Sequence, residues 1–396
     1  MDCWNVEYPP FQAVRTVHIM LPALFKKRTG LSGAKEGRPG NRNDSRMVAL
    51  DGLRAFAVGG VLVNHYLPED SCIQFLPWGS LGVQLFFVIS GFLITGVLLD
   101  MRPGGEPAPL RHALRIFYMR RFLRIFPPYY ALLLVYVAAK VSFSHGAAWA
   151  CPLYVFNFLT VFVHEPFLYL GHLWTLCIEE QFYLVWPLVV LALPRRWIIP
   201  VAALLVIAAP VFRSILEIRG VPYLAIRNLP LSQFDALAGG ALLAMARWDA
   251  SCRPGLVVWE KCRPWIALAG FVLYLLCLKG PVSQTVQMLG ATASALFMAA
   301  LVDWAAHGAK GIAGNMLAFR PLVYIGKISY GIYLYQFASL FLLYKLQHLL
   351  GHPRLMNNWA GFALVWTAIT ILISMVSWHL FERPILQLKR RFPYHD

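Results

Sequence analysis

The sequence predicts an all-α polytopic membrane protein with about ten transmembrane helices and no fused soluble domain. Three observations lead there. Of 396 residues, 59% are hydrophobic and 14% charged, against about 45–50% and about 25% in soluble domains. The apolar residues gather in runs of about 17–25, the length of a helix that crosses a bilayer. The basic residues concentrate in alternate connecting segments, as the positive-inside bias requires. A soluble enzyme, a disordered chain and a small disulfide scaffold are excluded. So is an outer-membrane barrel, which would alternate in segments of about ten residues. The net charge of +16 follows from the same loop bias, so no nucleic-acid partner is expected. Seven cysteines, at 3, 72, 151, 177, 252, 262 and 277, show no CxxC pair or zinc spacing.

Residues 1–46 carry eight basic side chains and one short apolar patch, 17–25, broken by Pro22. The main basic cluster follows that patch, whereas a secretory signal places charge first. A flexible cytoplasmic tail is expected, followed by a transmembrane domain over 47–384 and a cytoplasmic C-terminal tail over 385–396. Span one, 47–67, is apolar apart from Asp51, Arg54 and a few polar residues near His65. Span two, 80–99, is uncharged. Span three, 127–145, follows a basic, aromatic stretch at 110–126, for which an interfacial helix among lipid headgroups is one of two readings. Spans four and five, 175–194 and 197–216, are divided by Arg195 and Arg196. The remaining runs are 231–247, 263–279, 284–306, 322–346 and 359–381. A candidate at 148–164 is shorter and holds Pro152 and Asn157. If it does not cross, 26 basic residues fall inside and 7 outside. If it crosses, every later segment flips and the bias collapses. Ten spans with both termini cytoplasmic are therefore expected.

Ionisable side chains within a bilayer are costly unless paired or hydrated, which makes them functional candidates. Arg54 and His65 are 11 residues apart, about three turns, so they share a face about 16 Å apart along the axis. Arg54 either pairs with Asp51 or meets a substrate. His65 is either an interfacial cap or a base. Glu179 and Glu180 open span four at the depth expected for His65, so a carboxylate could orient the imidazole for general-base work. Arg120, Arg121 and Arg124 precede span three, and guanidinium groups suit phosphate bidentately. An acyl-coenzyme A would use them, and so would lipid headgroups. Trp174, Tyr183, Asp51 and Asp235 are candidate substrate contacts.

These segments together resemble the type-3 acyltransferase family of integral membrane proteins. The matching runs are LDGLRAFAVGGVLVNHY at 50–66, GVQLFFVISGFLIT at 82–95, RRFLRIFPPYY at 120–130, HLWTLCIEEQFYLVWPL at 172–188, FDALAGGALLA at 234–244, ISYGIYLYQ at 328–336 and FERP at 381–384. They stand in the family's order. The resemblance implies a fold of about ten helices that moves acyl groups, commonly acetyl, onto hydroxyls of glycans or other acceptors. The family's arginine-to-histidine pair falls on Arg54 and His65, and its RxxR motif on Arg121 to Arg124. It implies acetyl-CoA as cytoplasmic donor and no metal. Some relatives carry a fused extracytoplasmic esterase-like domain, for which this sequence shows no room. The family's LWSLSVEEQFY reads LWTLCIEEQFY here, with Thr175 and Cys177 in place of serines. A serine nucleophile at those positions is left without support. The basic leader lies outside the family pattern.

The expected function is O-acetylation of an exported or cell-surface polysaccharide, or its lipid-linked precursor, at the bacterial inner membrane. Acylation of a small acceptor such as a macrolide or a lipid is the alternative. Arg121 and Arg124 would hold the coenzyme A phosphates, with Arg54 positioning the donor. His65 would take the acceptor proton, and Glu179 or Glu180 would orient it or bind sugar. Direct transfer and an acyl-histidine intermediate both stay open. Two rivals are a proton-coupled transporter, for which no paired halves are found, and an assembly protein of the polysaccharide export machinery.

Overall fold

The computed structural model describes residues 40–68, 70–102, 109–141, 146–162, 169–248, 253–278, 284–307, 309–350 and 359–394. Most of the expected basic tail, 1–39, lies outside these. The described residues are helical, without a strand. The long helices are α1 (Gly40–Tyr66), α2 (Trp78–Asp100), α3 (Leu110–Ala138), α4 (Trp174–Ala192), α5 (Arg195–Ile218), α6 (Phe234–Trp248), α7 (Arg253–Leu278), α8 (Gln284–Ala306), α9 (Ser329–Leu350) and α10 (Trp359–Ser377). By length and composition, five stretches can cross a membrane: α2, Gly171–Ala192, α5, Leu289–Ala306 and Trp359–Arg391. The chain is an integral membrane protein.

The apolar residues are distributed to match. On α5, Leu204, Ile207, Val211 and Ile215 are exposed at helical spacing, a stripe suited to hydrocarbon. In α2, by contrast, most residues are buried, and α2 forms the centre of the bundle against α1, α6 and α4. Small residues let these backbones approach, as is common between membrane helices. A Cβ on Gly91 of α2 would fall on the Leu237 carbonyl of α6, and one on Gly240 would fall on the Val88 carbonyl of α2. Buried charge ties α6, α7 and α8 together. Asp303 of α8 accepts from Arg247 at 2.7 and 2.8 Å, from Arg263 at 2.8 Å and from Trp259 at 3.0 Å.

Several boundaries differ from the sequence expectation. The basic segment 110–126 is not a separate interfacial helix but is continuous with span three in α3. Pro127 and Pro128 sit inside α3. Proline lacks the donor but holds φ near the helical value, so the axis persists. The expected span 322–346 is two helices, Arg320–Lys327 and α9, broken at Ile328. The shorter one lies against α1 where Gly326 passes the Asp51 carbonyl. Among the described residues, the region 148–164 forms the short helices Ala147–Ala150 and Phe156–Phe162, the longer of which rises about 10 Å. Beyond α10 the helix widens to a π turn over Trp378–Glu382, just before Pro384, which cannot donate to the preceding turn. The C-terminal segment expected as a tail stays helical to Arg391.

Candidate active site

Two cavities meet in the bundle. The larger, about 910 Å³, is walled by the C-terminal end of α1, the start of α2, His172, Trp174, the short helix Tyr223–Arg227 and α9. His65 lines it. The hydrogen bonds around His65 define its tautomer. Gln336 Nε2 donates to the Tyr333 carbonyl at 3.0 Å, which turns Gln336 Oε1 toward His65. The imidazole Nδ1 lies 3.0 Å from that oxygen, an acceptor only, so Nδ1 carries the proton. Nε2 is left as the basic nitrogen on a ring that borders the cavity. His172 is held by the same logic. Its Nε2 donates to the Leu334 carbonyl at 3.2 Å, and its Nδ1 is buried without a partner. Phe337 packs against both imidazoles, at 5.1 and 5.0 Å between ring centres.

The smaller cavity, about 90 Å³, is lined by Arg54, Arg121, Arg124, Glu179, Glu180 and Tyr183, among others. The continuity of α3 brings Arg121 and Arg124 here, one turn apart. Arg54 Nη1 pairs with Asp51 at 2.9 Å, while no carboxylate pairs with Arg121 or Arg124 among the described residues. The guanidinium of Arg121 stands 5.2 Å from the Tyr183 ring centre. Tyr183 donates to Ser90 at 2.9 Å, and Ser90 donates to Glu179 at 2.9 Å.

Val83 and Tyr333 border both cavities. The Tyr333 hydroxyl donates to the His172 carbonyl at 2.8 Å and meets Thr175 Oγ1 at 2.6 Å. No group of three or more His, Cys, Asp or Glu among the described residues is placed to hold a metal ion.

The expected residues are thus brought together in part. Arg54, Arg121, Arg124, Glu179, Glu180 and Tyr183 converge, but on the arginine cavity. His65 and Trp174 line the other. The partner of His65, expected to be Glu179 or Glu180, is the amide of Gln336; both glutamates line the arginine cavity, and Glu179 accepts from Ser90. Tyr183, a candidate substrate contact, packs on Arg121. Arg120 turns away and donates to the carbonyls of Lys389 and Phe392 at 3.1 and 2.7 Å, stacking on Tyr394. It clamps the C-terminal segment and does not line the arginine cavity. Asp51 stays behind Arg54. Asp235 is buried outside the cavity lining, paired with Arg213 at 2.8 Å and accepting from Thr292 at 2.8 Å. Expected as a candidate substrate contact, it lies behind the lining of the larger cavity instead.

The sequence reading missed Gln336, His172, Ser90, Tyr333 and Arg227. Two of them carried a signal, since Gln336 and His172 are the terminal polar residues of the runs ISYGIYLYQ and HLWTLCIEEQFYLVWPL.

A family model described as an acyltransferase domain matches residues 47–379. The chain is 30% identical over 363 residues to the peptidoglycan O-acetyltransferase OatA of Listeria monocytogenes, covering 85% of this chain and 55% of that protein. It is 29% identical over 365 residues to the putative peptidoglycan O-acetyltransferase YrhL of Bacillus subtilis, covering 85% and 54%. The O-acetyltransferase OatA of Staphylococcus aureus matches at 37% identity over 164 residues, 37% of this chain and 25% of that protein. The chain spans about half the length of the first two relatives. No solved structure matches it. The family match covers α1 through α10 and both cavities, with the histidine and the arginines inside it, and on that extent the chain belongs to the type-3 acyltransferase family.

Proposed function

We propose that the chain is a membrane O-acetyltransferase that takes acetyl from acetyl-CoA and delivers it to a hydroxyl of a surface polysaccharide or its lipid-linked precursor. The observation that supports this most is the pair of adjoining cavities. One gathers three guanidinium groups, two without carboxylate partners. The other presents an imidazole with a free basic nitrogen. The names of the relatives from Listeria and Bacillus, peptidoglycan O-acetyltransferases, support a cell-wall glycan as the acceptor class.

In this reading Arg121 and Arg124 receive the coenzyme A phosphates, since a guanidinium matches phosphate oxygens in a fork. Arg54 is partly neutralised by Asp51 and assists. The arginine cavity is too narrow for a nucleotide, so adenine stays outside it and the pantetheine arm enters. Tyr333 and Val83 must yield for the thioester to reach His65. His65 Nε2 takes the proton of the acceptor hydroxyl as the oxygen attacks the thioester carbonyl carbon. The carbon–sulfur bond then breaks, and the imidazolium returns its proton to the leaving thiolate. Gln336 keeps the imidazole in the required tautomer throughout. Glu179 and Glu180 temper the positive charge of the donor cavity. Ten crossings of the inner membrane, both termini cytoplasmic, place the donor cavity inside and His65 toward the outer side. The basic-residue asymmetry supports that orientation.

The test is transfer of label from radiolabelled acetyl-CoA to a glycan acceptor by the full-length protein in nanodiscs. His65→Gln should lower the rate by about 10²–10⁴-fold, the range for a general base, with coenzyme A binding retained. A His65→Gln protein that acylates at the wild-type rate would remove the histidine from the chemistry.

A further inference from the structure

The lining of the larger cavity carries one cation that nothing in the described protein neutralises. Two arginines reach this wall, and they are partnered differently. Arg213 is charge-paired with Asp235 and donates to Thr292 at 2.6 Å and to the Ser232 carbonyl, with only its Nε left without a partner. Arg227 has no ion pair among the described residues. Its guanidinium lies 5.0 Å from the Trp174 ring centre, an aromatic contact that supplies no counter-charge. Its Nε is buried and unpartnered. No Asp or Glu lines the cavity.

The neutral groups around it are also left open, in a pattern. Gln84 Oε1, Asn228 Oδ1 and His172 Nδ1 are buried acceptors without donors, and the Tyr274 hydroxyl is a buried donor without an acceptor. All four residues line the same cavity. Burying such groups unpaired costs about 1–3 kcal/mol each, and a ligand whose donors meet them as the lining side chains turn toward it recovers part of that cost. Three bare acceptors call for hydroxyl donors. One bare guanidinium calls for a single negative charge.

We infer that Arg227, beside the Trp174 ring, is the subsite for a carboxylate on the acceptor sugar. The acceptor is then an acidic glycan unit whose hydroxyls meet Gln84, Asn228 and His172. This inference rests on the reading of the larger cavity as the acceptor site. One free positive charge matches a single carboxylate, which a guanidinium pairs two bonds to two, and matches a diphosphate poorly; a phosphate in the carboxylate's place is an outcome of the test.

The test is equilibrium binding to the full-length protein in nanodiscs. Methyl glucuronoside is compared with methyl glucoside, which replaces the carboxylate by a hydroxymethyl group, and with glucose 6-phosphate. The glucuronoside should bind about ten-fold to a hundred-fold tighter than the glucoside, the worth of a charged hydrogen bond. Arg227→Gln should erase that preference. Arg227→Lys, which keeps the charge, should retain part of it, and that retention separates lost recognition from a folding defect. Equal binding of glucuronoside and glucoside overturns the inference. So does a preference that survives Arg227→Gln, loss of preference in both variants, or tighter binding of the phosphate. The readout needs no acyl transfer. A protein that prefers the glucuronoside yet acylates nothing keeps the subsite and refutes the transferase reading, and acylation without the preference does the reverse.

Discussion

Replacing Gln336 by leucine isolates the orienting bond of the proposed base. Gln336 is fully buried, so an alanine would leave a void and confuse packing with chemistry. Leucine fills a similar volume and removes the amide alone. Two side-chain bonds are lost, Oε1 to His65 and Nε2 to the Tyr333 carbonyl, each 3.0 Å. The second costs little, since a helix carbonyl keeps its main-chain partner. The first leaves Nδ1–H free and lets the ring rotate or change tautomer. A hydrogen bond of this kind contributes about 0.5–1.5 kcal/mol. At about 1.36 kcal/mol per factor of ten, kcat/KM for acyl transfer should fall by about 2–12-fold. The assay is steady-state transfer from acetyl-CoA to a glycan by the full-length protein, beside His65→Gln and with coenzyme A binding as a check on folding. A Gln336→Leu rate equal to wild type would show that the amide does not orient the base. A loss as deep as that of His65→Gln would give Gln336 a larger role than positioning.

Arg121→Ala and Arg124→Ala should each weaken coenzyme A binding by about ten-fold or more, measured by titration calorimetry. Arg120→Ala should leave donor binding unchanged and instead speed hydrogen exchange over 388–394, because its bonds hold that segment. Asp303→Ala should destabilise the protein by about 3–5 kcal/mol, the cost of leaving buried cations unpaired, read from denaturant unfolding in detergent. Reporter fusions should score extracytoplasmic after Pro68 and cytoplasmic after Arg196. The opposite score at Arg196 would add a crossing at 148–164.

Much of the fold was readable because the bilayer imposes length and composition on each segment. The same rule located Arg54, His65, Glu179 and Arg124, since charge is conspicuous among apolar residues. Which of them meet was not readable. Gln336 lies 271 residues from His65 in the chain, and no periodicity links them. Placing Glu179 beside His65 assumed that equal depth means contact, whereas helix rotation turns that carboxylate to Ser90. Arg120 and Arg121 are neighbours in sequence, yet successive residues on a helix point about 100° apart, so Arg121 faces the arginine cavity and Arg120 the C-terminal segment. The break at Ile328 escaped notice because 322–346 is apolar on both sides of it.

A protein with polar space at two depths risks becoming a leak for protons and ions. Here Tyr333, pinned to the His172 carbonyl and Thr175, stands where the two spaces adjoin. Insulation of the membrane potential would then depend on Val83 and on one aromatic ring with its two hydrogen bonds. Tyr333→Ala would open a path for water, and its first symptom in a living cell would be a weakened electrical gradient rather than a missing modification. Vesicles carrying that variant should lose an imposed pH difference faster than vesicles with the unaltered protein.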